Sequence, residues 1–135
     1  MQVVRFGTSS EFVSLVFPSS PIPEGWIDAQ VEITVHCFRG SIWTSFEVCD
    51  LEQFLAQLSD LYSSLKGSAE LLPREKQFVL SIKADDMGHM LLSGTAWSRA
   101  TYGNRLEFEL ELDQTFLDEP ISQLRDVLNT WRQDA

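Results

Sequence analysis

From residue 27 to residue 48, apolar and polar residues alternate along IDAQVEITVHCF, break at Arg39-Gly40, and alternate again along SIWTSFEV. A period of two sends successive side chains to opposite faces of a strand. Two such runs around a glycine-containing pair read as a β-hairpin with one buried face. A two-residue turn at Arg39-Gly40 sets Phe38 against Ser41, Cys37 against Ile42 and His36 against Trp43. Val31, Ile33, Val35, Cys37, Ile42, Phe46 and Val48 then form the core side. Glu32, Thr34, His36, Phe38, Trp43, Ser45 and Glu47 form the other. The same register puts Cys49 opposite Gln30, about 20 Å or more along the strand from Cys37, so both thiols should be free.

The remaining elements follow from shorter signals. Strands are predicted at 2–6 and 11–17, separated from the hairpin by the Pro/Gly loop SSPIPEG at 19–25. A helix is predicted over 50–66, with Asp50 as N-cap and Gln53 completing a capping box. Leu51, Phe54, Leu55, Leu58, Leu61, Tyr62 and Leu65 fall at helical spacing, and Gly67 ends the run. LLPRE (71–75) is a loop or strand end. A second hairpin spans 77–84 and 89–97 around DDMG, and 105–112 form a further strand after a SRATYGN turn. A last helix over 119–132 carries Pro120 in its first turn and Ile121, Leu124, Val127, Leu128 and Trp131 on one face.

Strands, helix, strands, helix predicts an α+β fold: a single domain over 1–135 with a mainly antiparallel sheet of about 7–8 strands and both helices packed on it. The two halves resemble each other in pattern only and are not read as a repeat.

At 135 residues the chain is long enough for one domain with a real core. Its net charge of −10 disfavours general binding to nucleic acid or anionic membranes, and permits a basic protein partner. No apolar run approaches the roughly 20 residues that span a bilayer. The N-terminal stretch MQVVRFGTSSEF lacks the features of a signal peptide, so a cytoplasmic location is expected.

Signals for chemistry are sparse. Asp85, Asp86 and His89 form a D-D-x-x-H cluster, which the needs of a tight turn explain more simply than a metal does. No nucleophile elbow, phosphate cradle or basic track is present. The expectation is a protein that is not an enzyme and holds no metal or cofactor.

Two surface features remain. In RLEFELEL (105–112), Glu107, Glu109 and Glu111 share the face opposite Leu106, Phe108, Leu110 and Leu112. Outward residues about 6.6–7 Å apart could serve as an inverting hydrolase pair, but that also needs a cleft and one carboxyl of raised pKa. A solvated face that discourages strand association is the plainer reading, and a partner surface is the other. The second feature is Phe38 beside Trp43, either covered by a helix or exposed as an apolar anchor.

Several motifs carry a likeness: FRG at 38–40, D-L-E-x-F at 50–54 with Leu58, Leu61 and Tyr62, LKGSAEL at 65–71, D-x-x-G-H-M at 85–90 with Gly94, F-E-L-E-L-D-Q-T at 108–115, and Leu124. Over about two thirds of its length the chain resembles bacterial WapI-type immunity proteins and related small domains; residues 1–25 match no motif. The resemblance implies a non-enzymatic antitoxin that binds and blocks a cognate toxin domain, often a nuclease. On that reading Glu107, Glu109 and Glu111, with Glu32 and Glu47, supply charge toward a basic toxin, and Trp43 and Phe38 supply an apolar anchor. The alternatives are a structural module that forms homodimers and, less favoured, a small carboxylate-dependent hydrolase.

Overall fold

The computed structural model describes residues 1–100 and 102–134; Thr101, within the SRATYGN turn, and Ala135 lie outside the described residues. Strands β1 (Gln2–Gly7), β2 (Phe12–Phe17), β3 (Trp26–Val35) and β4 (Phe38–Glu47) lead into helix α1 (Val48–Ser64). Strands β5 (Ser68–Leu71), β6 (Phe78–Ala84), β7 (His89–Arg99) and β8 (Tyr102–Asp113) lead through a 3-10 turn (Gln114–Leu117) into helix α2 (Asp118–Asp134).

The α+β class and the two helices are as expected and eight strands fall within the expected 7–8, with β5 not read as a strand of its own, but the strands form two antiparallel sheets of four, not one. Each sheet is a meander in chain order, β1-β2-β3-β4 and β5-β6-β7-β8. The two halves therefore repeat one topology, four strands and a helix, which their sequences show only as a shared order of elements. Alternation within single strands cannot say where one sheet stops.

The inner faces meet in an aromatic chain. Phe46 stands edge-on to Phe78, and Phe78 stacks on Phe108, each with centroids 6.4 Å apart. Phe6 packs on Phe54 of α1, and Phe17 meets Trp131 of α2 edge-on at 5.3 Å. On α1, Leu51, Phe54, Leu58 and Leu61 are buried; on α2, all five predicted apolar residues are. The helices touch each other, and each lies along the first strand of the opposite half, α1 on β5 and α2 on β1. Gln57 Oε1 accepts the N–H of Glu70 at 2.7 Å, and Gln123 Oε1 accepts that of Arg5 at 2.8 Å. Both outer strands thus have an otherwise open backbone donor satisfied by a helix side chain.

The first hairpin turns three residues earlier than predicted. His36-Cys37 form the turn, pairing Val35 with Phe38, Thr34 with Arg39 and Gln30 with Trp43. His36 takes a left-handed φ of 49°. Gly40 lies within β4, where a Cβ would come to 3.5 Å from Leu106 Cδ2. Three expectations change with the register. Cys37 is exposed in the turn instead of facing the core, though both cysteines are free as expected. His36 is no longer opposite Trp43. Phe38 and Trp43 point to opposite faces of β4, so they are not a pair.

Helix α1 also starts early. Glu47 is its N-cap, and its N–H donates to Asp50 Oδ2 at 3.1 Å, so Asp50 is the third residue of the capping box instead of its first. Leu65 closes the helix in a left-handed conformation (φ 59°), donating its N–H to Leu61 O at 2.9 Å.

Candidate functional site

On β8 the alternation holds as predicted. Phe108, Leu110 and Leu112 are buried, and Glu107, Glu109 and Glu111 are exposed on the outer face of the second sheet. Register sets Thr95 beside Glu107, Ser93 beside Glu109 and Leu91 beside Glu111. Val79, Ser81 and Lys83 of β6 continue these rows. The twist of the sheet leaves a shallow hollow of about 480 Å³, lined by Val79, Ser81, Ser93, Thr95, Glu107 and Glu109 among others. The buried Ser81 Oγ has no hydrogen-bond partner among the described residues.

The three glutamates are not equivalent. Arg105 Nη2 lies 3.2 Å from Glu107 Oε1, with its guanidinium 5.3 Å over the Trp97 ring. Glu109 and Glu111 have no ion-pair partner among the described residues. They line a second hollow of about 340 Å³ with Leu91, Glu11 and His36. His36 Nδ1 is 3.1 Å from Glu11 Oε1. The earlier turn of the first hairpin and the start of β2 thus bring a third carboxylate and an imidazole to the end of the acidic strand. Sequence reasoning missed Glu11, which sits in a small turn about a hundred residues before its neighbours. Only the packing of the two sheets joins them.

The other expected contact residues scatter. Glu47 caps α1 and pairs with Arg74 Nη2 at 3.1 Å, which gives it a structural role. Glu32 is half-buried on the outer face of the first sheet, opposite Ser41 and diagonal to Trp43. Trp43 and Phe38 are each 58% exposed, on opposite sides of β4, so no helix covers either. The seven predicted residues therefore occupy several surfaces, of which only the β8 face brings three together.

Asp85 accepts the backbone N–H groups of Met87 at 2.8 Å and His89 at 2.9 Å, and these hold its carboxyl below the usual value, with the nearby His89 ring adding to the effect. That is turn chemistry, as the sequence suggests. Among the described residues no group of three or more His, Cys, Asp or Glu could hold a metal ion. The Cys49 thiol is pushed up by desolvation and by the carboxylates of Asp50 and Glu47. No helix among the described residues is long and apolar enough to cross a membrane.

No curated protein matches the chain closely. The fold is similar to that of the Trypanosoma bruciei MRP1/MRP2 crystal structures, with a TM-score of 0.51 and 10% identity over 98% of this chain and 83% of that one. A chain of the CdiA-CT/CdiI toxin and immunity complex from Enterobacter cloacae is similar with a TM-score of 0.48 and 12% identity, over 90% of this chain and 99% of that one. The model of the immunity protein WapI-like family matches residues 7–131. With all but the ends of the chain matched, this protein belongs to the WapI-like family of immunity proteins.

Proposed function

We propose that this bacterial immunity protein neutralises a basic toxin domain by docking the outer face of its second sheet, acting in the cytoplasm as one domain. Glu109 and Glu111 would be the centre of the contact, Glu11 an added carboxylate, and Glu107 a flank already balanced by Arg105. The observation that carries this reading is the pair of exposed glutamates without an ion-pair partner among the described residues, beside a hydroxyl-lined hollow. Lysine or arginine side chains entering there would meet carboxylates together with the Ser93 and Thr95 hydroxyls. A toxin that works on nucleic acid needs a basic surface, and an acidic face is steered onto such a surface and occludes it. Trp43 and Glu32 lie on the other sheet and would take part only if the partner wraps around the molecule.

The test is association kinetics with a basic toxin domain, sought first in the neighbouring reading frame. Replacing Glu109 and Glu111 together by lysine should lower the association rate about tenfold or more at low salt and flatten its salt dependence. Unchanged kinetics would remove β8 from the interface. A homodimer, the other reading, would use a different strand.

A further inference from the structure

Three of the four sheet edges are closed or guarded. Helix α2 covers β1 and α1 covers β5, each with its glutamine bond. β8 is an open edge, but Arg105, Glu107, Glu109, Glu111 and Asp113 line it, and charge of this kind discourages strand addition. β4 differs. It is ten residues long, stands last in its sheet, and carries no charged residue from Gly40 to Phe46.

Alternate residues of an antiparallel strand turn their N–H and C=O away from the partner strand. Val35 and Phe38 close the two-residue turn as a hydrogen-bonded pair, so Arg39, Ser41, Trp43 and Ser45 are the outward set. Among the described residues no backbone hydrogen bond ties this edge to another segment. Apolar surface flanks it on both faces, through Trp43 on one and Phe38 on the other.

Charge along this edge has a direction. At the start of β4, Arg39 lines a groove of about 250 Å³ with Phe38, Ile42 and Leu106; Arg105 also borders it but is held by Glu107. Toward its end, Asp28 and Glu75 line a hollow of about 350 Å³ with Trp43 and Ser45. Neither Arg39 nor Glu75 has an ion-pair partner among the described residues.

We propose that β4 pairs antiparallel with β4 of a second copy of this chain, across a twofold axis, joining the two first sheets into one of eight strands. Among the described residues, β4 has an arginine outside any ion pair at its start and carboxylates outside any ion pair, Asp28 and Glu75, beside its end. Such a strand is complementary to itself when reversed, and the twofold makes each contact twice. Setting Ser41 against Trp43 of the second copy sets Arg39 against Ser45 of that copy, whose hydroxyl donates to Asp28 Oδ1 at 2.7 Å. Arg39 then reaches the acidic end, and the indole of Trp43 is covered. A strand from an unrelated protein has no reason to carry this reversed charge order. The acidic β8 face is not used, so dimerisation is independent of toxin binding.

Sedimentation equilibrium on the intact chain, from about 1 µM to about 200 µM, tests this by mass action. The expected mass rises from 15.4 kDa toward twice that value. Ser41→Pro removes one outward N–H per copy, a change edge strands tolerate, and should weaken the dimer about tenfold. Arg39→Glu sets like charges together at both ends and should weaken it about tenfold as well, with Glu75→Arg in the same chain restoring most of the loss. The charge variants answer the question even if the proline variant does not fold. A monomer at every concentration overturns the proposal and leaves the edge to a strand of another protein. A dimer indifferent to Arg39→Glu and Ser41→Pro also overturns it, since the contact then lies elsewhere.

Discussion

The Phe108 ring occupies the space where a side chain at position 94 would be. A Cβ on Gly94 would lie 2.5 Å from Phe108 Cζ and 2.7 Å from the carbonyl oxygen of Val79. The two residues are direct partners across β7 and β8, so the ring crosses the neighbouring strand to reach Phe78. Gly94→Ala should therefore destabilise the fold by about 1–3 kcal/mol in urea unfolding, as overpacking does. Adding Phe108→Leu should recover only part of that, because the Val79 carbonyl is backbone and cannot move aside.

The paired glutamines give a second expectation. Gln123→Ala leaves the part-buried Arg5 N–H without its partner and should cost about 1–2 kcal/mol. Gln57→Ala exposes the Glu70 N–H to water that can replace the lost oxygen, so about 0.5–1 kcal/mol is expected. The two sites share no partner, and chemical denaturation of the double variant should give the sum within about 0.5 kcal/mol.

Asp85 makes the acid limb of stability partly local. Its carboxyl is lowered in the folded state by the Met87 and His89 N–H groups, so its contribution is present above the unfolded value, near about pH 4. It is lost as pH falls through the lower folded value. Asp85→Asn should flatten the loss of stability in that window. A carbon-detected titration of the wild-type carboxylate should find its midpoint below that of an unfolded peptide.

The cysteines offer a check on the turn. Cys37 and Cys49 are free and exposed, so a thiol reagent should modify two groups in the native protein. In a Cys37→Ser variant, the remaining Cys49 should react more slowly at about pH 8 than a cysteine in a short peptide, because its raised pKa leaves less thiolate.

Where sequence reasoning failed, a distant contact had replaced a local rule. Arg39-Gly40 looks like a turn because glycine is the usual turn residue. Here Gly40 is inside a strand, where a Cβ would make only ordinary contact with Leu106, while the turn falls to His36, which accepts a left-handed backbone. That displacement moved Cys37 out of the core and parted Phe38 from Trp43. By contrast the alternation of β8 over 105–112 was legible, since it depends on one buried face and no partner identity, although the strand starts at Tyr102, inside the stretch read as a turn. Helix α2 was legible for the same reason. Glu11 was not, because its approach to Glu109 and Glu111 exists only once two sheets are packed. Charge on β8 could be read from the sequence, but that Arg105 takes up Glu107 and leaves the other two free could not.

The exchange of helices between the halves orders events during synthesis. Strand β1 leaves the ribosome before the other elements described, yet the helix that covers it contains Gln123 and follows all of them. Strand β5 has the opposite history, because α1 is already made when it appears. A nascent chain therefore holds the border of β1 bare until α2 has been made, and guarding it against neighbours falls to Arg5, the only charged residue in β1. The strand made first is the last to be closed.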